Sequence, residues 1–178
     1  MRPFQWVRLG TSVIFGMIWI FSIQNELLLN VFSGVMAGPG LNVQQFIRNG
    51  STPAFTVFWV GCMTALLAWF VRTMTARPHS SAQVRSMQPQ WWIAAVLLGL
   101  FGWLCLSIFT ILIWQVTGTS PIDVPSINYY PVPPGGWFLL SVFVVIDVIL
   151  LFWLPTMLAS PRTYRFVVPG AVTIFGSR

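Results

Sequence analysis

The sequence predicts an all-α integral membrane protein: four transmembrane helices in a bundle, with both ends on the cytoplasmic side. Three observations predict it. Four apolar runs are long enough to cross the ~30 Å hydrocarbon core of a bilayer, which takes about 20 helical residues. Only 7% of the 178 residues are charged, 56% are apolar and the mean hydropathy is +0.78, whereas a soluble domain carries about 25% charged residues to cover its surface. The nine basic residues are all arginine, and most of them gather at one end of the runs.

The runs cover residues 7–29, 54–71, 91–116 and 137–158 of one domain, residues 1–178. Gln24, Asn25 and Glu26 interrupt the far end of the first. Pro53 stands where a first helical turn tolerates proline, so the second is expected to begin there. The third is uninterrupted. The fourth is bounded by Pro133, Pro134, Gly135 and Gly136 before it and Pro161 after it. Pro155 is expected to fray or kink its last turn, because proline lacks an N–H and its ring meets the carbonyl four residues back.

Charge sets the orientation. Arg2, Arg8, Arg72, Arg77, Arg85, Arg162, Arg165 and Arg178 fall on one side of the four runs, and only Arg48 falls on the other, with Glu26 and Asp123. Arginine-rich ends stay cytoplasmic, which gives an N-in, C-in arrangement. Charge at segment ends also suits anionic headgroups and not a nucleic-acid groove, so the net charge of +6 implies lipid contact and no nucleic acid. Tryptophans agree: Trp6, Trp69, Trp91, Trp92 and Trp153 map to the inner headgroup level, and Trp59, Trp114 and Trp137 to the outer. Trp19 and Trp103 are deeper, expected between helices or against lipid. The expected location is a bacterial inner membrane or an equivalent energy-converting membrane.

Arg2 and Arg8 ahead of residues 9–23 resemble the start of a signal peptide, with residues 35–37 as a loose cleavage site. The gap from Ile23 to Ala37 is too long for that, and residues 27–32 turn apolar again, so the first span is expected to be retained. On the outer side, residues 41–48 carry apolar positions at 41, 43, 46 and 47, fitting a short helix on the membrane surface or an irregular loop. Residues 117–136 hold five prolines among Tyr129 and Tyr130 and are expected to form a stiff cap. The tail beyond Pro161, apolar from Phe166 to Phe175 but broken by Pro169 and Gly170, is expected to lie at the interface. An Asn49-Gly50-Ser51 acceptor sequence stands too near the second span to be a good glycosylation target.

Asp147 is the most informative residue. It sits mid-way along the fourth run, where a carboxylate costs roughly 2.5 to 3.5 kcal/mol on insertion scales, and so should face protein or water. No arginine is at matching depth, and the expected partners are the hydroxyls of Thr64, Ser107 and Thr110. An interhelical hydrogen bond is the leading role for it, with proton or cation handling as the alternative. Glu26, with Gln24 and Asn25, marks either the mouth of a path to Asp147 or an ordinary helix end. Small residues four apart (Ser12 and Gly16, Gly61 and Ala65, Ala95 and Gly99, with Gly102 extending the last) allow helices to approach closely.

Other chemistry finds little support. Cys62 and Cys105 lie in apolar runs at comparable depth, without metal-type spacing. The one histidine, His79, is in the inner connection, which leaves no pair for haem. No phosphate loop, dinucleotide glycine run or nucleophile with a base is present, and no internal repeat joins two halves. The leading expectation is therefore a non-enzymatic accessory, assembly or scaffold subunit, in contact with lipids and with other membrane subunits or itself. The rivals are a small transporter or channel using Asp147, and a membrane enzyme or binder of a lipid-like cofactor. No cofactor is predicted, though a lipid, pigment or quinone fits the composition.

Overall fold

The structure, a computed structural model, describes residues 3–36, 43–75, 81–117, 132–161, 164 and 166–171. Among them there is helix and turn but no strand. Four helices are long and apolar enough to cross a membrane: Trp6–Val31, Ile47–Thr75, Ala82–Phe109 and Pro134–Leu158, here the first to fourth spans. This supports an integral membrane protein. The second span packs against the other three, and its Phe55, Phe58, Cys62 and Leu66 are buried.

Small residues make that packing possible. A Cβ on Gly61 would fall 2.6 Å from the Phe101 ring, and one on Gly102 would meet both Val144 and Phe58 within 3.0 Å. Gly16 likewise takes the Trp59 indole and Leu151 against its bare Cα. These three notches are filled from within the chain. Gly99 is different, for nothing lies within 4 Å of where its Cβ would be.

The second span begins earlier than Pro53 implies. Val43–Phe46 is helical and runs through Ile47–Ser51 into Thr52–Thr75, with Phe46 and Ile47 buried. No separate surface helix forms from residues 43–48; residues 41–42 lie outside the described residues. The reason is local. Ile47–Ser51 is a widened turn in which the Thr52 N–H bonds the Ile47 carbonyl, five residues back, and Pro53 follows at once. Widening the turn ahead of a proline gives its ring room, so the helix continues. The Ser51 and Thr52 hydroxyls both reach Ile47 O, at 3.2 and 2.8 Å. Pro155 repeats the device: Ile149–Trp153 is widened, Leu154 N–H bonds Ile149 O, and helix persists to Ala159.

The inner ends are tied together by side chains. Trp69 Nε1 donates to Ser160 Oγ at 3.1 Å and Trp91 Nε1 to Thr156 Oγ1 at 3.1 Å. Trp91 also stacks on Phe152 at 5.6 Å. Trp153 Nε1 donates at 2.8 Å to Pro169 O, beside the turn where Gly170 adopts φ 78°. Trp69 and Trp91 are buried, so they are packing residues and not headgroup anchors, while Trp6 and Trp92 are exposed. The described part of the tail packs against the bundle. Tyr164, Val167, Val168 and Ala171 are buried in the same cluster as Trp91 and Met157, while Phe166 and Gly170 are exposed. Burial removes more apolar area from solvent than lying flat would, and small Val and Ala side chains fit the gap.

Candidate functional site

The site forms where the first and fourth spans meet at mid-depth. Asp147 is 0% exposed. Trp19 Nε1 donates to its Oδ1 at 2.6 Å, across two helices. Gln24, also 0% exposed, lies close enough for its amide to act on the same carboxyl, although no hydrogen bond closes. Asp147 Oδ2 and both Gln24 side-chain atoms, Oε1 and Nε2, have no hydrogen-bond partner in the protein. Cys62, from the second span, is near enough to feel both Asp147 and Cys105 electrostatically. Both thiols are free and buried, so the expected likeness of depth becomes a shared neighbourhood.

Backbone geometry brings Trp19 and Gln24 to one carboxyl. In a regular α-helix, residues five apart point about 140° away from each other around the axis. Trp19–Gln24 is a widened turn with the five-residue hydrogen-bond pattern, which returns residues five apart nearly to the same face. No proline is near to force it, unlike the turns before Pro53 and Pro155. Side chains on a helix lean toward its N-terminus, so Gln24 reaches back from the outer side toward Asp147.

The predicted site residues separate. Glu26 is exposed and accepts from Asn30 Nδ2. Asn25 is half-buried; its Nδ2 donates to Phe21 O at 3.4 Å, and its Oδ1 lies 3.0 Å from the Thr52 hydroxyl. These two polar pairs lie on the outer side of Gln24, and no hydrogen bond joins either of them to it. Thr64 is exposed and donates to Val60 O at 2.8 Å; Ser107 donates to Trp103 O at 2.9 Å. Both hydroxyls serve their own helix and neither reaches Asp147. Thr110 is helical, but its side chain lies outside the described part. His79, Asp123, Arg2, Arg77, Arg162, Arg165, Arg178 and the prolines from Pro121 to Pro131 lie outside the described residues.

Trp19 is the partner that sequence reasoning missed. The usable signal was its N–H donor at a depth matching Asp147, each near the middle of its run. Among the described residues no group of three or more His, Cys, Asp or Glu could hold a metal. The cluster can hold a proton on the carboxyl, and its free amide and carboxyl oxygen can bridge a small hydrogen-bonding guest. No family model, curated protein or solved structure matches the chain.

Proposed function

We propose that the chain is a non-enzymatic, multi-pass membrane protein, a four-helix bundle with both ends cytoplasmic, that serves as an accessory, assembly or scaffold subunit of a larger membrane complex. One observation carries the reading: the third span turns a stripe of Ile93, Val96, Leu97, Leu100 and Leu104 outward, and the Gly99 notch on that span stands open. An open notch beside large apolar side chains suits a helix of another subunit, because helix association in lipid rests on close backbone approach. The orientation is supported by Arg8, Arg72 and Arg85 at one end of the spans and Arg48 with Glu26 at the other. The test is native purification of wild type and Gly99→Leu after gentle extraction. Wild type is expected to migrate with a partner and Gly99→Leu alone, with equal thermal stability. Wild type migrating as a lone chain overturns the reading.

A second reading, a small transporter or channel, is favoured by the unpaired polar atoms around Asp147. Proteoliposome flux that is lost in Asp147→Asn supports it; flux unchanged by that substitution removes it.

A further inference from the structure

We infer that Asp147 is a proton-binding site that exchanges protons with only one face of the membrane, the face at which Glu26 and Asn30 lie, by way of Gln24. The inference does not depend on whether the chain is a subunit or a transporter.

Two sides of Asp147 differ in chemistry. Outward lies a seam of separate polar groups, Gln24, Asn25 with Thr52, and Glu26 with Asn30, ending at exposed side chains. Gln24 is fully buried, and its donor and acceptor are both unpaired beside the unpaired Asp147 Oδ2. A buried amide in that state costs free energy unless it bonds a guest, and a water molecule presents both a donor and an acceptor to it. Inward, the next turn of the fourth span places Leu151 and Phe152, and the second span places Leu66, all fully buried. Beyond them the hydroxyls of Ser12, Thr73 and Thr156 donate to Arg8 O, Phe70 O and Trp153 O, and Ser160 Oγ accepts from the Trp69 indole. Among the described residues one unpaired polar atom remains in that direction, Trp59 Nε1 beside Gly16 and Leu151, and an indole N–H only donates, so it cannot accept a proton and pass it on.

The groups facing Asp147 fit a proton and no larger cation. The first span offers neutral Trp19 and Gln24, the second span the Cys62 thiol, and the third span Cys105 behind it. Asp147 Oδ2 and Gln24 Oε1 are the two free side-chain oxygens there, whereas hard metal cations take about six. The exchange is a simple one: the carboxylate takes a proton from a hydronium ion at the outer seam, leaving water, and returns it by the reverse step.

The test uses the full chain in sealed vesicles with the pH set separately on each side. The probe is dicyclohexylcarbodiimide, which adds to protonated carboxyls in apolar surroundings and enters from either side, so sidedness reports the proton and not the probe. Adducts at Asp147 are quantified by mass spectrometry of the peptide. Val31→Cys, exposed at the end of the first span, marks the Glu26 side with a membrane-impermeant maleimide. Labelling is expected to rise, by up to about tenfold per pH unit above the midpoint, as pH falls on the side that Val31→Cys marks, and to ignore the other side. Gln24→Leu is expected to slow the response to a pH jump, and Asp147→Asn to abolish the adduct. Labelling that follows the opposite face, follows both faces equally, or never occurs at Asp147 overturns the inference, and these outcomes need no variant at the site itself. An unslowed response in Gln24→Leu removes Gln24 from the route.

Discussion

The inner layer and the central site bury similar polar chemistry in opposite states. At the inner end, the indoles of Trp69, Trp91 and Trp153 each donate to an oxygen at 2.8 to 3.1 Å. At the centre, one indole is bonded to Asp147, while Gln24 and the second carboxyl oxygen have no partner in the protein. The backbone differs too: the widened turns before Pro53 and Pro155 have a covalent cause, whereas those at Trp19–Gln24 and Leu27–Val31 have no proline behind them. A satisfied network lowers the energy of the fold. An unsatisfied one in the same fold raises it unless a water or another guest completes its hydrogen bonds.

The largest expected effect belongs to the inner layer. Trp91→Ala removes a buried indole that stacks on Phe152 and bonds Thr156, and should cost about 3–5 kcal/mol, read as an early midpoint in unfolding by SDS titration from mild detergent. A loss near zero would mean that the layer is not a support. Thr156→Val keeps the shape but strands the Trp91 N–H, and should cost about 1–2 kcal/mol, since interhelical hydrogen bonds in lipid are worth less than their isolation implies. The same titration checks it, and Trp91→Phe combined with Thr156→Val should be milder than the two losses added.

Much of the fold is legible in the sequence because hydropathy reads length directly. The expected runs at 7–29 and 137–158 fall within the observed Trp6–Val31 and Pro134–Leu158. The second run starts seven residues before its expected residue 54, at Ile47, because proline is a stop signal only where the turn before it keeps regular pitch. Asp147 is legible as a residue needing explanation; its partners are not. Thr64 and Ser107 are chosen by depth alone, and depth cannot tell that each hydroxyl is already used by the carbonyl four residues back. Trp19 and Gln24 are hidden by periodicity, since a period of 3.6 puts them on different faces and only the widened turn reunites them. The tail's packing is hidden for a related reason: an apolar stretch says what it avoids, not whether protein or lipid covers it.

Gln24→Leu sharpens the comparison because its sign should be reversed. Leucine fills similar space without an amide that lacks partners, so stability should stay level or rise by up to about 1 kcal/mol, in the same SDS titration. A loss larger than that would show Gln24 bonded as firmly as Thr156, and the contrast between the two regions would disappear.

The smallest effects are expected at Thr64→Val and Ser107→Ala, within about 0.5 kcal/mol of wild type. Each hydroxyl bonds a carbonyl of its own helix, and such a carbonyl keeps its helical N–H when the hydroxyl is gone. Neither side chain approaches Asp147, so carbodiimide labelling at Asp147 should keep both its extent and its pH response. A changed pH response in either variant, with stability intact, would place that hydroxyl on the proton route after all. The seam would then reach the second or third span, and the inner side of Asp147 would no longer be sealed by Leu66 and Leu151.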